Sequence, residues 1–548
     1  MSGASEASPV VGALESAVVS RNASSKSQEV AMPPAIEPLE MVEGEVSGEG
    51  EEDMAYPTGI KFAVIMTALC LVLLLVGLDF NIIATAIPKI TDDFKTIADI
   101  GWYSAAVRLP LCSFQFMFGK MYSVFSVKWV FLISVAIYEI GSLVCGLAPT
   151  SIAFIIARAI CGFGGAGIIA GVFVVLTQTV PLHRRPLFGA LGGTIETAAS
   201  IAAPLLGGVL TDKLSWRWCF FINLPTGFIT LVVIGLFFQD PQISSHQSLP
   251  LKEKIGRLDL PGTVIFVPSI TCLLLALQWA GTTYGWANAR IIALLIVFGV
   301  LAGVFAWHEY RQQDMATLPP RIIGKRSILA GMWFSLCTNS AISIVENFTV
   351  KGASPSKSGV LVLPCVIGFI ISIMLAGPAT SIVGFYTPFM IATSLLMPIG
   401  AGLLTTLKVD ANLASLISYQ ALVGFGAGWG LQGPQLAAQT ILSQKDAPMG
   451  LAVVNFAQNF GPAIMIPAAQ NIFTTRLQKL SPGSNSTSLD TMGLSDLKAH
   501  YNSSVLGGVL ADYDKAIVQT LYLSLALTLL TLLGSLGMEW TSVKKKKA

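Results

Sequence analysis

An all-α integral membrane protein with about fourteen transmembrane helices is the fold class the sequence predicts, on three observations. Only 12% of the 548 residues are charged, against about 25% in soluble globular chains. Mean hydropathy is +0.70 and 53% of the residues are hydrophobic. After Lys61, apolar runs recur at close to the ~20 residues that a helix needs to cross ~30 Å of hydrocarbon.

Residues 1–58 are a different material. They are rich in Ser, Pro, Gly and Glu, with an acidic stretch from Glu37 to Asp53. Such a segment buries too little apolar surface to offset its ordering entropy. It also lacks the basic-then-apolar opening of a cleaved leader. It reads as a disordered acidic cytosolic tail. The periodicity then predicts spans near 62–85, 102–122, 129–148, 152–177, 187–210, 217–238, 260–279, 290–308, 327–345, 358–377, 387–406, 413–433, 450–473 and 516–537. An even count puts both termini on one side. A long external loop is expected at 474–515, and 541–548 forms a basic tail.

Lys and Arg in short loops assign the sides. One set of alternate loops holds twelve, among them Lys120, Lys128, Arg184, Arg185, Arg321 and Lys445. The other holds eight, among them Lys89, Lys213, Arg217 and Lys351. The richer set, reinforced by Lys544–Lys547, is cytosolic, so both termini are expected there. Acceptor sequences for glycosylation at Asn347, Asn485 and Asn502 then fall in outside loops.

Several classes are excluded early. A formal charge of +2 offers nothing to nucleic acid. The eight cysteines lie in apolar runs without CxxC spacing, and the four histidines are scattered. No metal site and no cofactor are expected. No clustered nucleophile or base suggests an enzyme. Gly162–Gly167 superficially resembles a nucleotide loop, but it follows no strand.

An internal repeat organises the spans. Residues 158–164 read Arg-Ala-Ile-Cys-Gly-Phe-Gly, and residues 420–426 read Gln-Ala-Leu-Val-Gly-Phe-Gly. Single glycines serve close helix packing, but the paired pattern suggests a carrier whose halves rock around a midplane site. The offset gives a six-helix bundle at 59–240, a linker and inserted helix pair at 241–312, and a second six-helix bundle at 313–540.

A family resemblance rests on specific residues. They are Leu78-Asp79-Phe80-Asn81 through Pro88 in span 1, Gly119-Lys120 with Lys128-Trp129, Arg158–Gly167 in span 4, and Ala203-Pro204-Leu205-Leu206-Gly207-Gly208 in span 5. The most specific is Trp216-Arg217-Trp218 through Asn223-Leu224-Pro225-Thr226-Gly227. From about 60 to 540 the chain resembles the fourteen-span drug:proton antiporters of the major facilitator superfamily, notably fungal toxin efflux pumps. The resemblance implies a major-facilitator fold and export of small, mostly hydrophobic organic compounds by proton antiport. The substrate and protons are the partners, within the lipid bilayer, and the carrier works as a monomer in the plasma membrane. Uptake or vacuolar loading of a siderophore, amino acid or sugar, or a non-transporting membrane sensor that a folded signalling domain would favour, are the alternatives, with the vacuolar or endoplasmic reticulum membrane as the other locations.

Ionisable residues inside spans are costly unless paired or hydrated, so they are functional candidates. Asp79 and Arg158 are two such residues; the resemblance implies a role in the transport cycle for the first and in proton coupling for the second. The plainer alternative is that Arg158 only ties helices together. Glu139 and Glu196 are candidate proton carriers, or else hydrogen-bonded acids at helix contacts. The resemblance makes Ala203, Pro204, Gly207 and Gly208 the antiporter signature, with Ala203 where Gly is usual. Arg108 in span 2 departs from the family, either facing the cavity or snorkelling. Span 9, with nineteen positions and five polar ones, is barely long enough to cross and is expected to be the weakest inserted helix.

Overall fold

Lipid gives backbone N–H and C=O groups no partner, so a spanning segment must satisfy them internally, as a helix does. The computed structural model describes residues 56–96, 99–240, 250–281, 283–349, 355–407, 412–480 and 503–544. Its first half consists of α1 (Gly59–Phe94), α2 (Ile100–Ser113), α3 (Gln115–Val124), α4 (Val127–Leu147), α5 (Ser151–Thr179), α6 (Arg185–Lys213), α7 (Trp218–Phe221) and α8 (Asn223–Phe237). Then follow α9 (Leu251–Gly256), α10 (Leu260–Trp279), α11 (Ala289–Gln312) and α12 (Pro320–Ile323). The second half holds α13 (Arg326–Phe348), α14 (Pro355–Val383), α15 (Thr387–Leu404), α16 (Leu413–Gly428), α17 (Gly433–Ile441), α18 (Ala447–Leu480) and α19 (Ser503–Gly537).

Among the described residues, 12 helical stretches are long and apolar enough to cross a membrane. The two other predicted spans, 102–122 and 413–433, are helical but broken. In the first, Pro110 offers no N–H to the preceding turn, and the helix pauses at Phe114 before α3 resumes. In the second, residues 429–432 form a turn ahead of Gly433 and Pro434. The Thr393 hydroxyl accepts the freed Gly430 N–H at 2.7 Å, which is how a break inside a bundle stays satisfied.

The sequence repeat has a packing counterpart. A Cβ on Gly162 would lie 2.2 Å from the Val107 carbonyl of α2, and one on Gly164 would lie 2.6 Å from the Tyr138 nitrogen of α4. In the second half, Gly424 would meet the Cys365 carbonyl of α14 at 1.8 Å, and Gly426 the Met397 nitrogen of α15 at 2.6 Å. Thus α16 stands to α14 and α15 as α5 stands to α2 and α4. Between the halves, α6 packs on α14 and α3 packs on α18. The helices α10 and α11 pack on each other, and α10 also touches α2 and α18. Along α11 the side chains of Ile292, Ile296, Val300 and Val304 are exposed, as befits a face turned to lipid.

Two expectations change. Span 9 is α13, with 23 residues rather than nineteen, about 34 Å at 1.5 Å per residue. It is long enough to cross, and its polar Ser335, Thr338 and Ser340 are buried against protein and turned away from lipid. The expected loop at 474–515 is helical at both ends, because α18 runs to Leu480 and α19 begins at Ser503. Asn485 and Asn502 lie outside the described residues. Asn347 is exposed, but it sits in the last turn of α13 rather than in a loop, its Nδ2 donating to the Ser343 carbonyl at 2.7 Å.

Candidate transport site

Asp79 on α1 and Arg158 on α5 meet inside the first half. Arg158 Nη1 donates to both Asp79 oxygens, at 2.8 and 2.7 Å, and its Nε donates to the Tyr103 carbonyl at 3.3 Å. The guanidinium also lies 5.6 Å from the centre of the Phe220 ring. With side-chain exposures of 1% and 0%, the pair is cut off from water. Two such charges are tolerable in apolar surroundings only because each supplies the other's partner. Glu139 on α4 is buried close to this pair, near enough to feel the charge on Asp79. Its carboxyl has no hydrogen-bond partner and fills the space left by Gly227 on α8, where a Cβ would lie 1.9 Å from Oε1.

A cavity of about 330 Å³ opens between the two halves, lined by α1, α5, α6, α13, α14 and α18 together with the 429–432 turn and α17. Glu196 of α6 and Glu346 of α13 face it from opposite halves. Among the described residues neither carboxyl has a hydrogen-bond partner, and no Lys, Arg or His is among the lining residues. Three of the four predicted ionisable residues therefore cluster behind the cavity wall, and only Glu196 reaches the cavity itself. Arg108 is exposed and within electrostatic range of Glu346 and Arg158, but it is not a lining residue.

One end of the cavity is closed by helix contacts. A Cβ on Gly377 of α14 would meet that of Ala190 of α6 at 2.5 Å, and one on Gly119 of α3 would meet that of Ala452 of α18 at 2.4 Å. Gln432 Nε2 donates across the halves to the Gly189 carbonyl at 3.2 Å. Beyond this contact, the segment between α11 and α13 straps the halves together. Lys120 Nζ donates to the Ala316 carbonyl at 2.8 Å. Arg321 grips Asp446 with two bonds of 2.7 Å and Asp314 with one of 2.5 Å. Asp259 caps α10 and accepts from the Thr317 backbone and hydroxyl, both at 2.8 Å, and it also contacts His308 Nε2 at 2.7 Å.

The comparisons with known proteins agree with this architecture. The MFS-type efflux pump MFS1 of Arthroderma benhamiae is 44% identical over 91% of this chain and 95% of its own length. The efflux pump roqT of Penicillium rubens is 42% identical over 88% and 91%. The MFS thioclapurine efflux transporter tcpA of Claviceps purpurea is 39% identical over 91% and 94%. A family model described as Major Facilitator Superfamily matches residues 69–310.

The chain belongs to the major facilitator superfamily.

Solved structures of that superfamily share the fold. A double-tryptophan mutant of XylE superimposes with a TM-score of 0.54 at 14% identity, covering 88% of this chain and 97% of that one. The human organic anion transporter MFSD10 (TETRAN) gives 0.52 at 13%, covering 86% and 100%.

Within this superfamily member the span 5 signature divides by face. Ala203 is buried, and Gly207 lets α1 approach, since a Cβ there would sit 2.3 Å from Thr85 Oγ1. Gly208 faces open space, and Pro204 is half-buried inside α6. The Trp216-Arg217 motif is a tether. Both side chains donate to Asp93 at the end of α1, at 3.0 and 2.8 Å. The Arg217 and Trp216 bonds hold the exposed Asp93 carboxyl below its ordinary value.

Sequence reasoning did not place six polar residues of the cavity wall: Asn339, Glu346, Gln432, Gln435, Gln458 and Asn459. A signal was present, because single carboxamides interrupt apolar helices there, and Gln432 and Gln435 stand three positions apart. The Arg321–Asp446 grip was legible only as two loop charges.

Proposed function

We propose that this superfamily member is a fourteen-span exporter of small, mostly hydrophobic organic compounds, driven by proton antiport, with both termini in the cytosol. The single observation that carries this reading is the cavity shared by both halves, into which Glu196 and Glu346 present unpartnered carboxyls. A carboxyl there can exchange a proton for a substrate contact as the halves rock. The broken α2–α3 and α16–α17 segments would supply the two spans beyond the 12 continuous ones. Efflux in the names of the relatives supports the direction, and the plasma membrane is the location that fits export. The closed end carries the loops that the charge count gives to the cytosol, so this conformation would be outward-facing. The Asp79–Arg158 pair, shut off from water here, would enter the cycle only when the halves move.

The test is export from cells with and without the protein, with and without a protonophore. Gradient-dependent efflux that falls at least tenfold in Glu196→Gln is expected. Efflux unchanged after the gradient collapses would remove proton coupling.

A further inference from the structure

The two walls of the cavity differ in chemistry. The first half offers a mainly apolar surface, with Leu69, Leu73, Val172, Phe173, Leu176 and Phe188, broken by Asn81, Glu196, Thr197 and Ser200. The second half offers five carboxamides, Asn339, Gln432, Gln435, Gln458 and Asn459, beside Glu346. The hydrogen bonds that these polar groups already make consume donors. Asn339 Nδ2 donates to the Ser335 carbonyl and Asn459 Nδ2 to the Asn455 carbonyl, each at 2.9 Å and each four residues back. Gln432 Nε2 donates to the Gly189 carbonyl. On the opposite wall, Asn81 Nδ2 donates to the Gly77 carbonyl and to Ser200 Oγ, both at 3.0 Å, which uses both its hydrogens. Thr197 and Ser200 spend their hydroxyl hydrogens on the Gly193 and Glu196 carbonyls.

A carbonyl oxygen only accepts, so each of these amide–carbonyl bonds commits one of the two amide hydrogens and leaves the side-chain oxygen over. Gln435, only 2% exposed, lines the cavity with an Oε1 that has no partner. Two carboxyls add further acceptors and, when ionised, no donor. Asn339, Gln432 and Asn459 each keep a second amide hydrogen and Gln458 keeps both, but each amide oxygen has two lone pairs and each ionised carboxylate about four, so acceptor positions outnumber the free donors.

Resting on the export reading above, we infer that the cavity selects substrates rich in hydrogen-bond donors: neutral or cationic amphipathic molecules with an apolar body and an edge of hydroxyl, phenol, amine or amide N–H groups. The apolar body lies on the first-half wall and the donor edge on the second-half wall. A substrate lacking donors leaves the wall oxygens desolvated and unpaired, which costs more than the pairing gains. An anionic carboxylate meets two carboxyls and no cation among the lining residues, Arg108 standing outside the lining although within range of Glu346.

Matched probe pairs test this with the full-length protein in proteoliposomes carrying an imposed proton gradient. Rhodamine 123 and tetramethylrhodamine methyl ester share charge and ring system, but N-methylation removes every N–H from the second. A trihydroxyanthraquinone and its trimethyl ether form a neutral pair. At roughly fivefold per hydrogen bond, transport efficiency is expected to favour the donor-bearing member of each pair by at least tenfold. In Asn339→Leu and Asn459→Leu, whose lost bonds lie within their own helices, that preference should shrink about fivefold. The methylated probes are the more lipophilic, so a pump that sorts by hydrophobicity alone would prefer them. Equal or faster transport of the methylated members by the wild-type chain would overturn this inference and leave export intact. Transport of neither member of either pair would overturn both readings. Should the leucine variants not fold, the wild-type comparison decides alone.

Discussion

Arg158 binds both oxygens of Asp79 through one nitrogen, in a position where neither charge can reach water. Removing one partner of such a buried pair typically costs about 3–5 kcal/mol, because the other charge is left uncompensated. Arg158→Ala is therefore expected to lower the unfolding temperature of the purified protein as well as to abolish export. Lysine keeps the charge but loses the planar fork that reaches Asp79 and the Tyr103 carbonyl together, so Arg158→Lys should fold and transport poorly. Stability and coupling separate in a double variant. Asp79→Asn with Arg158→Gln removes both charges, and it is expected to recover most of the melting temperature without recovering gradient-driven export. Wild-type export by that double variant would reduce the pair to a structural tie.

At the scale of the helix, α13 decides how a polar span survives in lipid. Its buried Ser335, Thr338 and Ser340 face protein, while Asn339 and Glu346 face the cavity. It packs chiefly on α18 and α19. Interhelical burial, and not hydropathy alone, holds such a helix in place. Because α13 already spans about 34 Å, ten apolar residues inserted after Val345 would push Glu346 out of the cavity and overrun the bilayer. Lower surface expression and reduced export are expected, read by quantitative blotting and probe efflux. Improved expression would mean that α13 is truncated after all. The glycines of α5 and α16 make the matching point about helices that approach backbone to backbone. Neither would tolerate a side chain at Gly162 or Gly424, where even a Cβ would overlap a carbonyl.

Across the whole molecule, the halves are joined at one end by the segment between α11 and α13, through Lys120 on one side and Arg321–Asp446 on the other. Alternating access requires this strap to yield. Burial raises the Asp446 carboxyl, but the bonds from Arg321 and Ser443 outweigh it and hold the group below its ordinary value. A lowered value means that the contribution is complete above the unfolded carboxylate value of about 4 and is lost only as pH falls through the lowered one. Acidification from about pH 7 to 5.5 should thus leave the Arg321–Asp446 pair intact. Arg321→Ala should open the strap at both pH values, by about 1 kcal/mol for a half-exposed pair. Hydrogen exchange in 313–323 measures this. Faster exchange is expected in the variant than in the wild type, by about the same factor at either pH, and a difference confined to one pH would overturn this assignment.

The sequence by itself determined that the chain is a helical membrane protein, and its repeated glycine pattern pointed to two related halves. Those properties follow from local composition, because a run of apolar residues must span and must be helical, and a repeated glycine pattern must pack in a repeated way. Asp79 and Arg158 were legible for the same reason, since charge in an apolar run is conspicuous wherever the helix points. Only the tertiary structure decided that these two bind each other, that Glu139 sits behind them against Gly227, and that Glu196 alone of the four enters the cavity. The cavity's carboxamides escaped notice because a single Asn or Gln in a span costs little and reads alike whether it faces lipid, a neighbour or a substrate. Which way it faces depends on the rotation of each helix, and that rotation is fixed by neighbours far away in the chain.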